Sequence, residues 1–250
     1  MMSEIFETKD YEKFKRLEGN RKINSTNLKN LSQAIQKHNR LSYHPIITSK
    51  DMYVIDGHHR LKVAEELEYP VFYIVDPTVT MDEMYDHILS ANVNKKNWSL
   101  EDFFNLYAKK DANPHYIEFL DLMKVLDLKP KALLGLICAS YNGEYLDLIK
   151  KGHFTLPIDK IAFERITLAF LQLKQFVQER KIKPYSMFSS AYFTNAFRIL
   201  MNNSSFEVDL FFQKLENLWH KLKPQSCPKE WLAVLTEIYN WKNHNKIVVE

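Results

Sequence analysis

Glycine is scarce in this chain. Five glycines in 250 residues are too few to turn the many corners of an all-β fold, and their scarcity favours helices. Cysteine is scarcer still: Cys138 and Cys227 lie far apart and match neither a zinc nor a redox spacing. Cys138 falls in an apolar helical run and reads as a buried thiol, and this cysteine usage fits a reducing cytoplasm. No run of about 18 apolar residues is present, so no membrane span is expected. Residues 1–15 carry Glu and Lys without an apolar core, which is not the pattern of a signal peptide. Internal repeats and low-complexity linkers are missing as well. So is a strong charge bias, since 34 Lys/Arg stand against 31 Asp/Glu for a net charge of +3. Residues 1–97 hold 14 of each sign, and the remainder holds 20 basic against 17 acidic residues. A protein that coats nucleic acid carries a stronger bias, so this balance permits DNA contact without demanding it. What is there is ordinary for a globular protein, 46% hydrophobic and 26% charged, with length enough for one large or two modest cores.

The most informative stretch is Val54-Ile55-Asp56-Gly57-His58-His59-Arg60-Leu61. An apolar, β-branched run stops at a glycine, and two histidines and an arginine follow at once. Leu61, Ala64 and Leu67 then recur three residues apart. The pattern predicts a strand, a tight turn and a helix start. Backbone N–H groups at a helix N-terminus have no intrahelical acceptor, so such a turn can hold a phosphate. Gly57 lets the backbone come close, and Arg60 can grip a phosphate with two parallel hydrogen bonds. The plain structural alternative is that His58 and Arg60 cap the helix and pair with Asp56.

Around this turn the sequence predicts a small α/β unit. Residues 1–20 form a polar lead-in with some helical character. Ser25 or Thr26 can cap a helix carrying Leu28, Leu31 and Ile35 on one face. Short strands are expected at Ile46–Thr48, Met52–Asp56 and Val71–Val75, and a helix from Leu61 to Glu68. Thr80-x-x-Glu83 and Ser99-x-x-Asp102 are capping signatures. From Ser99 onward the pattern is helical almost to the end. Tyr116, Phe119, Leu120 and Met123 share one face, Pro130 suits the first turn of a helix over Lys131–Ser140, Asn142-Gly143 marks a turn and Gly152 a cap. The helices flanking Asp127–Lys129 can be a helix-turn-helix or a plain helical hairpin. The second of them, Ala132 to Cys138, is very apolar for a helix that reads DNA. Val208, Phe211, Phe212, Leu215, Trp219 and Leu222 make a broad apolar face of the kind found in cores or between protomers. Arg180, Lys181 and Lys183, and likewise Lys221 and Lys223, sit near helix ends, where they can serve as partners of the helix dipole or as contacts to a phosphate backbone. The expected fold class is α+β, divided as 1–97, 98–158 and 159–250.

Taken in order, Asn20-Arg21, the helix with Leu28, Leu31 and Ile35, His44-Pro45-Ile46-Ile47, Asp56-Gly57-His58-His59-Arg60 and Asn92-Val93-Asn94-Lys95 resemble the N-terminal domain of the ParB/sulfiredoxin superfamily. Pro45-Ile46-Ile47 resembles its first box, Gly57 to Arg60 its Gly-Glu-Arg-Arg box, and Asn92 to Lys95 its Glu-Asn-x-Gln-Arg box. The resemblance covers roughly residues 10–155. It implies a pocket for a nucleoside triphosphate, CTP or ATP, with Mg²⁺. Gly57 and Arg60 would hold phosphates, His58 would stand at the Glu position, His59 at an Arg position, and Asn92 would help hold the metal. It also implies DNA as a partner, with Lys129, Lys131, Lys150 and Lys151 as candidate backbone contacts, and a homodimer from a bacterial chromosome, phage or plasmid.

Departures from the family pattern shape the expectation. The acidic residue of the third box is Ala91 here, and alanine neither holds magnesium nor orients a water, so hydrolysis is expected to be slow or absent. Asn94 and Lys95 replace Gln and Arg. Where the sulfiredoxin branch carries a cysteine this chain has His58, so that thiolate chemistry is excluded. Two other readings stay open. His58, His59, His44 and His87 with Asp56 can be read as ligands of a metal-dependent nuclease, although adjacent histidines rarely share one metal. The chain can also be a non-catalytic interaction module with a degenerate nucleotide site.

Overall fold

The β-branched runs around Ile46, Val54 and Val71 build a sheet. In the computed structural model, which describes residues 4–20, 23–93, 98–138, 143–156 and 159–249, four strands are β1 (Ile5–Thr8), β2 (Ile46–Ser49), β3 (Val54–Asp56) and β4 (Val71–Asp76). They lie in the order β1-β4-β2-β3. The β1/β4 and β2/β3 pairs are antiparallel, and β2/β4 is parallel. The chain is α+β and divides into two compact units, Met1–Asn113 and Pro114–Glu250.

The first strand corrects the expectation of a helical lead-in. Residues 5–8 show three exposed positions and one half-buried, so no apolar period betrays them. They are held by the edge of β4, with Phe6 stacked on Tyr73 at 5.3 Å between ring centroids. β3 starts at Val54 rather than Met52 because Met52 takes φ 65° in a tight turn closed by its N–H on the Ser49 carbonyl at 3.0 Å.

Helix α1 (Ser25–Lys37) is capped by Asn24, whose side-chain oxygen accepts from the Asn27 N–H at 2.9 Å; neither Ser25 nor Thr26 serves. Its buried Ile35 meets Ile46, Val54, Val71 and Tyr73 of the sheet and Val63 and Ala64 of helix α2 (His58–Glu66). α2 begins at His58, three residues before the expected Leu61. Helix α3 (Met84–Val93) follows the Thr80–Glu83 pair, whose side chains meet at 2.8 Å. Helix α4 (Leu100–Lys110) starts at a true capping box of Ser99 and Asp102.

The first unit therefore runs past residue 97 to take in α4. Lys109 bonds Glu18 at 2.7 Å, Lys110 pairs with Asp86, and Phe103, Phe104, Leu106 and Tyr107 are buried. Among the described residues the second unit is helical: α5 (Pro114–Leu126), α6 (Pro130–Ile137), α7 (Gly143–Lys150), α8 (Lys160–Glu179), α9 (Ala191–Met201), α10 (Val208–Leu218) and α11 (Pro228–Asn240). Gly143 opens α7 rather than lying in a turn, and Asn142, like Ser140, lies outside the described residues. The expected boundary between 158 and 159 separates nothing, because α6 packs on α8 and α9. A β-carbon on Gly135 would sit 2.9 Å from Thr194 Oγ1, which shows how closely α6 and α9 approach.

One residue links β3 to α2. Gly57 has φ 100°, where any other residue is strained. A β-carbon there would lie 2.5 Å from Ile46 Cγ2 and 2.9 Å from Arg60 Nη2. Gly57→Ala is expected to destabilise the first unit by about 2–4 kcal/mol, from left-handed strain plus overpacking. Hydrogen exchange of the β4 amides in the two proteins measures it; equal protection would show that the turn relaxes freely.

Candidate functional site

The first turn of α2 has no side-chain cap at its N-cap residue Gly57. Leu61 N–H closes onto the Gly57 carbonyl at 2.9 Å, so the N–H groups of His58, His59 and Arg60 point out of the helix end. The partial positive charge there favours an anion. Three side chains leave this one turn, and the structure sends them in two directions.

His58 and His59 turn toward the segment that leads into α1. Asn20 is buried, and its Nδ2 lies 3.5 and 3.4 Å from the two ring nitrogens of His58. The amide thus closes over the imidazole rather than along one lone pair. Burial pushes His58 down to about 4, helped by the nearby Arg16 and His59 and opposed by Asp56. His59 Nε2 accepts the Asn24 N–H at 3.2 Å, which ties the turn to the α1 cap. Arg60 turns the other way. Its Nη2 donates to the Pro45 carbonyl at 3.2 Å and to Asp56 Oδ2 at 3.3 Å. Its Nε is buried without a hydrogen-bond partner. The Asp56 pairing is the plain structural alternative foreseen from the sequence, and it leaves part of the guanidinium unused.

Arg60 borders a cleft of about 360 Å³ between α1 and the short 3-10 turn Leu41–Tyr43. The other basic residues on it are Lys37, His38, Arg40 and His44, and among the described residues no acidic one lines it. Its apolar wall is Leu31, Ala34, Ile35 and Leu41. Among the described residues none of the side chains of Lys37, His38, Arg40 and His44 makes a hydrogen bond or ion pair. This cleft was not legible as a site: its basic residues are spread over a helix end and a loop with no motif spacing.

No family model and no curated protein matches the chain. Among solved structures, a Pnob8-like ParB-N domain matches with 15% identity and a TM-score of 0.39, over 95% of this chain and 98% of that one. A superposition that loose fixes neither a family nor a ligand.

The remaining expected site residues are dispersed. Asn92 lies on α3, but its side chain and that of Ala91 are outside the described residues, as are Asn94 and Lys95 entirely. His44 lines the cleft, whereas His87 acts on Asp76, whose carboxyl is held low mainly by Thr78. Among the described residues no three His, Cys, Asp or Glu side chains are grouped to hold a metal, so the histidine set of the nuclease reading has no common centre. In the second unit, residues 132–137 of α6 are all buried. A helix that reads a DNA groove needs an exposed polar face, and α6 is instead a core helix in a helical hairpin. Lys129, Lys131, Lys150 and Lys151 are exposed, with Lys150 3.4 Å from Asp147. Arg180 pairs with Glu216 and Lys221 with Glu237. Phe211, Phe212, Leu215 and Leu222 are buried, so that aromatic face is core, with Trp219 at its exposed margin. Cys138 is buried as expected, and burial pushes its thiol up, away from nucleophilic use.

His58 supplies a pH signature. The unfolded imidazole takes its proton near 6.5 and the folded one near 4, so the unfolded chain binds more protons between those values. The stability contributed by neutral His58 is full above about pH 6.5, falls through that window and is lost below about pH 4, on the order of 3 kcal/mol in all. Exchange protection of the first unit is expected to drop accordingly, and His58→Gln to flatten the drop. An unchanged pH profile in the variant would show that His58 titrates alike in the folded and unfolded chain.

Proposed function

We propose that the chain is a ParB-like nucleotide-binding protein associated with DNA. The observation that carries this is Arg60: it stands in the first turn of an uncapped helix behind a left-handed glycine, with a buried Nε that has no acceptor. An unmet buried donor is costly, by about 1–3 kcal/mol. A phosphate drawing the guanidinium away from Asp56 would satisfy it and would lie at the positive, N-terminal end of the same helix. The ordered boxes of the sequence add the expectation that the anion is a nucleoside triphosphate, CTP or ATP, with Mg²⁺. Asn92 is the residue that would help hold the metal. Ala91 at the acidic position speaks for binding with slow or no hydrolysis.

His58 and His59 serve this reading as supports rather than as ligands. Locked onto Asn20 and the Asn24 N–H, they hold the turn and offer the phosphates only backbone donors. DNA association rests on the box order and on the modest basic excess of residues 98–250, with Lys129, Lys131, Lys150 and Lys151 as contacts to phosphate rather than to bases. Specific readout by α6 is no part of the proposal.

Calorimetric titration with CTP, ATP, GTP and UTP, with and without Mg²⁺, tests the nucleotide. Micromolar binding of one triphosphate is expected, weakened about tenfold to a hundredfold in Arg60→Ala by loss of a charge-assisted bond. Absence of binding to all four, or indifference to the substitution in a folded variant, overturns the reading.

Self-association belongs to the same proposal. Ile161 is 81% and Leu168 66% exposed, seven residues apart on one face of α8, a spacing that places them in one stripe. If this stripe joins two copies, Leu168→Glu is expected to yield a monomer where the parent sediments as a dimer. Equal sedimentation of the two proteins removes the stripe from the proposal.

A further inference from the structure

We propose that the cleft between α1 and the turn Leu41–Tyr43 is a binding site for a small amphipathic anion, an aromatic or aliphatic body carrying a phosphate, sulfonate or carboxylate at one end. The inference shares Arg60 with the nucleotide reading but stands on the cleft alone.

Two features of the cleft select this chemistry. Its wall is apolar: Ile35 and Leu41 are buried side chains of the sheet-facing core, and Leu31 and Ala34 extend the same surface outward along α1. Such a surface is favourable to cover with an apolar body, at about 25 cal/mol per Å². At about 360 Å³ the space is that of a small-molecule pocket. Its rim is basic, with no acid among the described residues that line it. Lys37 lies in the last turn of α1, where the carbonyl end of the helix attracts a cation. Arg40 and His44 have no such partner: they flank the Leu41–Tyr43 turn, are exposed, and make no side-chain hydrogen bond or ion pair among the described residues. α1 itself contains no acidic residue, and Asp56, the carboxylate that meets the cleft's Arg60, is already engaged with it. A rim on which Arg40 has no carboxylate partner, with Lys37 and Arg60 beside it around an apolar floor, disfavours a cation and rewards an anion whose body fills the floor.

The backbone explains how the cluster is kept together. The His38 N–H closes α1 on the Ala34 carbonyl at 2.9 Å, and the N–H groups of Tyr43 and His44 return to the Arg40 and Leu41 carbonyls at 3.1 and 3.2 Å. Leu41 N–H is held by Asn39 Oδ1 at 3.1 Å. The loop that carries Arg40 and His44 is thus hydrogen-bonded on itself. A ligand there meets side chains whose backbone positions are already fixed, which lowers the ordering cost of binding.

The test uses 8-anilinonaphthalene-1-sulfonate, an aromatic anion that fluoresces on leaving water, and N-phenyl-1-naphthylamine, its neutral counterpart. The full-length chain is expected to bind one sulfonate dye saturably and the neutral dye at least about tenfold more weakly, the margin of one charge-assisted contact. Arg40→Ala should weaken the sulfonate about tenfold. Ala34→Trp, a substitution at an exposed helix position that fills the cleft without changing its charge, should abolish binding of both dyes. Thermal midpoints of both variants establish that the fold is retained. No saturable dye binding, equal affinity for the two dyes, or binding indifferent to both substitutions overturns the inference. Dye binding is read without nucleotide, so the cleft can stand when the nucleotide reading falls, and the reverse; a triphosphate that displaces the dye would place both in one site.

Discussion

The backbone at Gly57 governs the site. At φ 100°, with Ile46 of the neighbouring strand packed where a β-carbon would be, the chain can pass from β3 into α2 only as it does. That passage fixes the phase of the helix. Successive residues of an α-helix point about 100° apart, so three consecutive side chains fan out from the turn. His58 and His59 go to the entry of α1, and Arg60 goes to Pro45 and the far end of the same helix. One left-handed residue therefore ties the first end of α1 to the sheet through His59 and the Asn24 N–H, and sets Arg60 on the cleft at its other end.

The polar groups at this turn are a compromise between holding the fold and receiving a ligand. His58 is kept neutral by burial, and the nearby Arg16 acts in the same direction. A protonated imidazole would strengthen the attraction for an anion but would be paired with a second cation in a poorly solvated place. Arg60 carries the charge instead, partly neutralised by Asp56 at 3.3 Å. Such a pair, about a quarter exposed on each side, is worth little as a stabiliser in its own right. Its more important effect is to hold the guanidinium in place while leaving Nε unmet. Among the described residues the cleft that Arg60 borders is lined by no acid, with Lys37 and Arg40 on its rim beside the paired Arg60.

The second unit shows what a helix-turn-helix spacing does and does not imply. The turn at Asp127 is where the sequence places it: Asp127 takes φ 50° and the Leu128 N–H returns to the Met123 carbonyl at 3.1 Å. The helix that follows is buried from Ala132 to Ile137 and packs on α9 through Gly135. A hairpin with that apolar second helix satisfies the core and has no face left for a groove. The aromatic surface of α10 is likewise spent on packing, with Phe206 in ring contact with both Phe211 and Tyr239, while the exposed apolar stripe lies on α8, which no sequence pattern singled out.

The sequence by itself determined the local structure at the places where a strong local rule operates. Pro45, the β-branched runs and the capping pairs at Thr80 and Ser99 placed strands and helix starts within a few residues, because those signals act over one turn of chain. β1 escaped, because an edge strand with three exposed positions in four has no apolar period; the β4 edge makes it a strand. The strand–glycine–helix turn was legible as a pattern, with its ends two and three residues off, but not where its side chains go: Val54 to Leu61 has the same spacing whether His58 faces a ligand or Asn20. The cleft was invisible for a related reason. Lys37, Arg40, His44 and Arg60 become neighbours only when α1 and α2 pack on one sheet, and packing is decided by contacts such as Ile35 on Val63 and Ala64 that join residues far apart in the chain. Local chemistry chose the residues of the turn, and long-range burial chose which of them can meet an anion.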